Sequence, residues 1–191
     1  MRVSREKAQE NRNRIVAVAG SLLREKGFDG IGVADIMKAA DLTHGGFYGH
    51  FKSKDELAAL ACGEALTRSA ARWSEVRDNA GTDPFKAMVA HYLSPRQFDG
   101  TGRGCALVAL GAEAPRQPKA VREVFRDGLA KLLDVLMSAL PGTKAARRKK
   151  SLAVMAELVG AGVLARAVDD PVLAEEILDA VRHDLLTRVD R

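Results

Sequence analysis

Five side chains between residues 43 and 54 can exchange hydrogen bonds with a ligand, and they recur at short intervals. They are the hydroxyl of Thr43, the imidazoles of His44 and His50, the phenol of Tyr48 and the ammonium of Lys54. Hydroxyl, phenol and ammonium groups donate to phosphate oxygens, and donors that reach a base edge discriminate between nucleotide sequences. Side chains of this kind can contact a polyanion without covalent chemistry.

No arrangement typical of an enzyme or a metal site accompanies these residues. The glycine-rich stretch 100–104 lacks the spacing of a dinucleotide-binding loop and follows no predicted strand. The four histidines are scattered without the spacing of metal ligands, and the sequence contains neither a Gly-Lys-Ser/Thr phosphate loop nor a Gly-x-Ser-x-Gly nucleophile elbow. We expect a protein that is not an enzyme, with no catalytic residues, no cofactor and no bound metal.

The composition is typical of a helical globular protein. Of the 191 residues, 47% are hydrophobic, 29% are charged and only 5% are aromatic, which favours helix over β-structure. No apolar run approaches the roughly 18 residues that span a bilayer, and no secretory signal is visible. The two cysteines are too few for a disulfide framework. We expect an all-α, cytoplasmic protein without membrane contact.

Most of the formal net charge of +5 lies in the first 54 residues. This segment holds 10 Lys and Arg against 6 Asp and Glu, whereas the rest of the chain holds 20 against 19. A basic segment attracts a polyanion because binding releases condensed counterions, although a solvated basic surface without a ligand would have the same composition. The denser cluster Arg147-Arg148-Lys149-Lys150 follows a predicted helix start and is interpreted as a solvated surface.

A series of about nine predicted helices must position the polar residues. Periodicity and glycine punctuation end the first helix at Lys26, and two short helices follow near 33–40 and 43–50. Ser53 and Glu56 have the spacing of a capping box, which opens a long helix to about residue 77. Further helices are predicted at about 83–92, 105–114, 118–140, 143–168 and 171–189.

The first short helix is predicted to face the core through Ile36, Met37 and Ala40. Ala39 supplies a small side chain where two helices would cross closely, and the tight turn that follows is expected to bury Leu42. This arrangement would direct the chain from one short helix into the next.

The second short helix has one apolar side and one polar side. Phe47 and Phe51 lie four residues apart and can anchor the helix through a shared face, while Thr43 is a favourable N-cap. Two short helices joined by a three- to four-residue turn form the helix-turn-helix pattern, whose second helix enters the major groove of DNA. We therefore expect the polar side of this helix to meet duplex DNA.

With these residues in place, the segment resembles the N-terminal domain of the TetR/AcrR family of one-component transcriptional regulators. The matching stretches are RIVAVAGSLLREKGFDG and IGVADIMKAADLTHGGFYGHFKSKDEL, in which Lys26-Gly27-Phe28, Phe47-Tyr48, His50-Phe51, Ser53-Lys54 and Leu57 are specific as a set. The resemblance by motif extends from about Asn11 to Leu60. Beyond that it covers only length, helix order and a terminal helix pair.

The resemblance implies a DNA interface and a division of the chain. The residues implied to contact DNA are Thr43, His44, Gly45, Tyr48, His50 and Lys54. Thr43 would touch a phosphate or a base, Tyr48 and Lys54 would contact phosphates, and the others would lie at the groove or near the backbone. A three-helix DNA-binding domain would occupy residues 1–52, and residues 53–191 would bind an effector and dimerise.

Three residues depart from the family pattern. Asp41 stands where a turn glycine is common, Gly46 where Thr is frequent, and Gly49 where a longer, often basic residue is frequent. With Gly45, the helix carries three glycines, each of which costs roughly 0.5–1 kcal/mol relative to Ala. We predict a recognition helix that frays when free and becomes ordered on DNA, with direct readout by few side chains.

The family resemblance also implies an effector pocket and a homodimer. Candidate pocket residues are Trp73, Met88, His91, Tyr92, Phe98, Cys105, Leu110 and Phe125. The last two predicted helices have wide apolar faces that would form a four-helix contact between two copies, unless they pack within one chain.

Cys105 follows the loop 100–104 and begins a predicted helix, with Arg103 nearby. A helix N-terminus and a cation both favour thiolate, so a redox- or electrophile-sensing cysteine is one interpretation and a buried inert thiol is the other.

Together these features predict a homodimeric repressor that binds a near-palindromic operator and is released by a small-molecule effector. The alternative is a helical ligand- or partner-binding protein that no longer reads DNA because of Gly46 and Gly49.

Overall fold

In the computed structural model, the residues described are 5–94, 98, 102 and 104–189, and all regular structure among them is helical, as expected from the sequence. The α-helices are α1 (Arg5–Lys26), α2 (Val33–Ala39), α3 (Lys54–Asp78), α4 (Pro84–Tyr92), α5 (Ala106–Leu110), α6 (Lys119–Ser138), α7 (Lys144–Ala167) and α8 (Pro171–Val189). Within the described ranges, 3-10 helices cover His44–Gly49 and Ala114–Arg116. No helix within these ranges is long and apolar enough to cross a bilayer.

The helix ends follow from capping residues. Asp83 accepts a hydrogen bond from the backbone N–H of Lys86 at 2.8 Å and Pro84 occupies the first turn of α4. At the start of α3, Ser53 accepts from the N–H of Glu56 at 3.1 Å. The Glu56 carboxylate reaches back one residue further than a standard capping box, to the N–H of Lys52 at 2.7 Å.

The sixth predicted helix is shorter than expected. Instead of one helix over 105–114, α5 ends at Leu110 and a separate 3-10 turn forms at Ala114–Arg116. Gly111 follows α5 directly, and Pro115 lacks the N–H that would continue the helical hydrogen bonds. Gly111 and Pro115 therefore explain the interruption, whereas the apolar periodicity alone predicted one continuous helix.

The chain divides into two compact units. The first comprises the described residues of Met1–Ala65 and Thr101–Arg126, and the second those of Leu66–Gly100 and Asp127–Arg191. The division falls within α3 and α6. It describes packing and not function, so the functional boundary between residues 52 and 53 stays a prediction.

The core of the first unit joins α1 to the helix-turn-helix. Ile15 of α1, Ile36 of α2, and Phe47 and Leu57 further along the chain are at most 1% exposed. Burying a side chain of this size contributes roughly 1.5–3 kcal/mol. The short helices of this unit, which are too brief to be stable alone, are thus held by tertiary packing.

The second unit is built around the pairing of α7 with α8. Leu158 on α7 and Leu178 and Leu185 on α8 are buried, and the two helices pack along their length. Large apolar side chains also remain exposed on the same helices: Leu152, Val163, Leu164, Val172 and Leu173. The apolar faces of these helices are therefore only partly covered within one chain.

Candidate nucleic-acid interface

The turn between α2 and the next helix is set by a hydrogen-bond pair characteristic of a Schellman motif. The N–H of Leu42 donates to the carbonyl of Met37 at 2.9 Å, and the N–H of Asp41 donates to the carbonyl of Lys38 at 3.1 Å. Asp41 has a φ of 54°, and it is the one residue other than glycine with positive φ in the described ranges. Asp tolerates this left-handed conformation better than most residues, which explains how it replaces a turn glycine.

Two details of the predicted turn are wrong. Leu42 is half-buried instead of buried, and Ala39 is exposed instead of lying at a helix crossing. Ala40, one residue later, is the small residue that the core encloses at 1% exposure. The Schellman turn ends α2 and rotates the chain, so residue 42 is only partly covered.

The second helix of the motif is a 3-10 helix, His44–Gly49, and not the α-helix expected over 43–50. The N–H of Gly46 donates to the carbonyl of Thr43 at 3.0 Å, the three-residue step of this helix type. Thr43 occupies the N-cap, but its side chain makes no capping hydrogen bond. Three glycines in six residues weaken the preference for a regular α-helix, so the packing of Phe47 sets the geometry.

Phe47 and Phe51 form the predicted anchor. Phe47 is fully buried and Phe51 is 2% exposed, with ring centroids 5.5 Å apart. The adjacent Tyr48 meets the edge of Phe47 at 5.3 Å, yet its side chain is 69% exposed. The anchor therefore fixes the helix while directing the Tyr48 phenol outward.

Most of the predicted contact residues are exposed in the structure. Thr43, His44, Gly45 and Tyr48 are exposed, and His50 is half-buried with its ring 6.2 Å from that of Phe51. We call this set the outer face of the recognition helix. It presents an exposed hydroxyl, imidazole and phenol, together with the half-buried imidazole of His50.

Lys54 differs from the other predicted contacts because it has an intramolecular partner. Its half-buried ammonium donates to the carbonyl of Phe28 at 2.6 Å. An ammonium has three N–H donors, so this bond orients the side chain and leaves donors for a second acceptor. Lys54 therefore joins the start of α3 to the loop after α1.

The same loop is held from a second side by Glu113. The Glu113 carboxylate accepts from the N–H of Phe28 at 2.9 Å. Gly27, just before, has a φ of 79°, and a Cβ at this position would lie 2.7 Å from a Glu113 carboxylate oxygen. The left-handed backbone conformation favours glycine at residue 27, and a Cβ there would displace the Glu113 carboxylate.

One residue near the outer face was not anticipated. The guanidinium carbon of Arg12 lies 5.0 Å from the centre of the Phe51 ring, a cation–π arrangement. Arg12 lies in α1, far from the helix-turn-helix in the sequence. Only its basic character signalled it, since no spacing connects residues 12 and 51.

The predicted pocket residues fall into both units. In the second unit, the Trp73 ring meets Tyr92 edge-on at 5.3 Å, and Tyr92 lies 6.3 Å from Phe98. Met88 is buried in α4, and burial lowers the pKa of the nearby His91 below its ordinary value, with the Arg72 charge acting in the same direction.

The remaining pocket candidates belong to the first unit. Cys105, Leu110 and Phe125 are all buried there. Arg103, the cation on which the sensor interpretation of Cys105 depends, lies outside the described residues. The other cysteine, Cys62, is also buried, and burial raises the pKa of its thiol to about 12 against a smaller opposing effect of Arg24.

An open cleft of about 670 Å³ lies elsewhere in the second unit, and none of the predicted pocket residues line it. Its walls come from α6 and the start of α7: Ala130, Asp134, Met137, Lys144, Ala145 and Arg148. Across the described part of the chain, no group of three His, Cys, Asp or Glu side chains has the arrangement of a metal site.

Comparison with known proteins connects this geometry to a family. The family model described as bacterial regulatory proteins, tetR family, matches residues 15–61. The HTH-type transcriptional repressor NemR of Escherichia coli strain K12 is 25% identical over 134 residues, which cover 69% of this chain and 67% of NemR. The HTH-type transcriptional regulator AcrR of Shigella flexneri is 39% identical over 56 residues, covering 29% of this chain and 26% of AcrR.

Solved structures share the fold. A TetR transcriptional regulator from Chloroflexus aurantiacus aligns with a TM-score of 0.81 at 24% identity, over 97% of each chain. The reduced form of E. coli NemR aligns with a TM-score of 0.78 at 21% identity, over 92% of this chain and 95% of that one. At such identities the likeness establishes the fold alone.

Proposed function

Because this chain belongs to the tetR family of bacterial regulatory proteins, we propose that it is a repressor that binds operator DNA as a homodimer and leaves it when a small effector binds. The exposure of Tyr48 beside the buried Phe47 is the observation that carries this proposal. It supplies a rigid anchor and a projecting donor on one short helix, as insertion into a major groove requires. This proposal implies a regulatory role without enzymatic activity and a cytoplasmic location.

The proposed interface consists of the outer face and the cations beside it. Thr43, His44 and Gly45 would enter the groove, while Tyr48 and His50 would meet the sugar-phosphate backbone. Phosphate contacts fix the position of a protein on the duplex, and base contacts select the sequence. Arg12 and Lys54 would add positive charge to the interface. The Phe51 ring holds Arg12 in place, and the Phe28 carbonyl holds Lys54.

The proposed dimer contact involves the exposed apolar residues of α7 and α8. Val172 is 68% exposed and Leu164 is 56% exposed, although both are large hydrophobic side chains. Clusters of such residues mark interaction surfaces on soluble proteins. Two copies would bring two recognition helices to the half-sites of a near-palindromic operator, about 34–36 Å apart or somewhat more.

The proposed effector site lies with the aromatic cluster of the second unit. Trp73, Tyr92 and Phe98 meet edge-on there, and such rings supply the apolar lining of many small-molecule sites. Trp73 is the one tryptophan of the sequence, so its fluorescence reports on this region directly. Linkage requires that operator DNA weakens effector binding by the factor by which the effector weakens DNA binding.

The decisive experiment selects fragments of the source genome that the purified protein retains. A repressor should enrich near-palindromic sites, and the genes beside them would indicate the effector. Affinity for an enriched fragment should fall steeply with salt, and Lys54→Ala should reduce the slope of log K against log [salt] by about one at every sequence. Failure to enrich any sequence would favour a helical ligand-binding protein that no longer reads DNA.

A further inference from the structure

Gly49 is exposed at the end of the recognition helix, and nothing in the fold requires a glycine there. A Cβ at this position would have no atom within 4 Å. Gly49 is also absent from the glycines with positive φ, so an alanine would adopt its backbone conformation without strain. Packing and backbone geometry therefore leave its lack of a side chain unexplained.

A glycine in such a position opposes folding. It loses more backbone entropy than alanine when the chain becomes ordered, and replacing it at a compatible site stabilises proteins. Departures from local preference that the fold does not need are concentrated at functional sites. We therefore expect the lack of a side chain at Gly49 to be explained by what binds on its solvent-exposed side.

Gly49 directly follows Tyr48, the projecting residue of the outer face, and both are exposed. Gly45, three residues before Tyr48, likewise has no atom within 4 Å of a Cβ. The exposed Tyr48 ring is thus flanked in the sequence by two exposed glycines that add no side chain. This arrangement allows a partner to approach the backbone next to the Tyr48 ring.

Gly46, in the same helix, is half-buried and has protein atoms around the position of a Cβ. Its Cβ would lie 3.6 Å from the Thr43 hydroxyl oxygen and 3.7 Å from the Met37 methyl carbon, which are ordinary contacts within the protein. Alanine at 46 and alanine at 49 thus remove the same backbone freedom from one helix. Only the second adds a methyl group to the outer face.

We propose that Gly49 is a specificity-determining residue: it leaves the space through which duplex DNA reaches the main chain beside Tyr48. A side chain there would hold the helix away from the groove and change which sequences fit. This inference rests on the proposed DNA-binding function and identifies a residue of the same interface. Gly49 would thus select DNA sequences because it lacks a side chain, and not because it donates a hydrogen bond to a base.

The test compares Gly49→Ala with Gly46→Ala, which is its matched control. Both variants should melt about 1–4 °C higher than the wild type, because both reduce the entropy of the unfolded chain. On a genomic fragment enriched by the wild type, Gly46→Ala should bind within about 2-fold, as expected for a change that does not touch DNA. Gly49→Ala should bind about 10-fold more weakly or worse, since an extra methyl group in a close-packed contact forces separation.

A graded series and a repeated selection extend the test. Gly49→Ser should bind more weakly than Gly49→Ala, and selection of genomic fragments with either variant should enrich a different set of sequences. If Gly49→Ala binds as tightly as Gly46→Ala and enriches the same sequences as the wild type, the glycine does not shape the contact and the inference is overturned. If the wild type itself retains no duplex, the proposed function and this inference both fail.

Discussion

Neighbouring residues of the recognition helix have opposite environments, and this contrast defines the interface at the residue scale. Phe47 is fully buried, whereas Tyr48 is 69% exposed. A change at the first residue would alter folding, while a change at the second can alter binding alone. Lys54 combines both roles because its ammonium also holds the Phe28 carbonyl.

Tyr48→Phe should weaken operator binding by about 1–2 kcal/mol, or roughly 5- to 30-fold, if the hydroxyl donates to a charged phosphate. The phenylalanine ring keeps the edge contact with Phe47, so the melting temperature should not change. Fluorescence anisotropy with the operator and with an unrelated duplex measures the effect, which should appear on both. Equal affinities of variant and wild type would show that the hydroxyl makes no such contact.

Cys62 should make folding stability sensitive to alkaline pH. Its pKa is raised by burial from 9.0 to about 12, so between these values the folded state holds a proton that the unfolded state has lost. The associated stability is present below pH 9 and decreases as pH rises, by about 1 kcal/mol at pH 10. Urea unfolding at pH 7.5 and pH 10 should therefore show a smaller decrease for Cys62→Ala than for the wild type.

The absolute stability of Cys62→Ala will fall at both pH values because the smaller side chain leaves a cavity. Only the difference between the two pH values tests the thiol. Identical decreases in variant and wild type would mean that the buried thiol does not titrate in this range.

At the scale of elements, short segments are held by residues distant in sequence. Two side chains hold the loop after α1 through hydrogen bonds to the backbone of Phe28. They are Lys54 of α3 and Glu113, which lies beyond α5. The recognition helix is short and rich in glycine, so it likewise depends on the packing of Phe47 and Phe51. It should therefore exchange its amide hydrogens rapidly when free and become protected on the operator.

Gly27→Ala tests the close approach of Glu113 to the loop after α1. It should lower the free energy of unfolding by about 1–2 kcal/mol for the left-handed backbone conformation, with a further loss because the new Cβ displaces the Glu113 carboxylate. Gly81→Ala is the matched control, since Gly81 has a φ of 64° but no atom within 4 Å of a Cβ. Chemical denaturation of both variants should show the larger loss for Gly27→Ala.

Combining Gly27→Ala with Glu113→Ala should cost less than the sum of the single changes, because the second removes the group with which the first collides. Strict additivity would indicate that Glu113 does not constrain residue 27.

At the scale of the whole molecule, α7 and α8 leave large apolar side chains uncovered. Leu152 and Leu173 are 46% and 42% exposed, in addition to the more exposed Leu164 and Val172. A second copy of the chain would bury them, and this is the proposed dimer contact.

Val172→Asp should convert the proposed dimer to a monomer at micromolar concentration, because a carboxylate buried in an apolar contact lacks a partner. Leu60→Asp is the control: Leu60 is 37% exposed in the first unit and lies outside the proposed contact. Light scattering after size exclusion gives the mass of each. A dimeric Val172→Asp, or a monomeric wild type, would remove this interface from the proposal.

The sequence by itself determined the order and type of the α-helices and the anchor of the recognition helix. These features are local, because apolar spacing, glycine punctuation and capping residues act within a few positions. Phe47 and Phe51, four residues apart, were therefore correctly predicted to share a buried face. The prediction failed where two local preferences competed, as in the glycine-rich segment that forms a 3-10 helix.

Only the tertiary structure decided which distant residues meet. Arg12 over Phe51, Lys54 on the Phe28 carbonyl and Glu113 beside Gly27 are contacts across 26 to 86 positions, and no local spacing encodes them. The same holds for the different surroundings of Gly46 and Gly49, since a glycine has no side chain from which polarity could be read. Long-range contacts depend on how buried faces of several helices fit together, and that fit is a property of the folded chain.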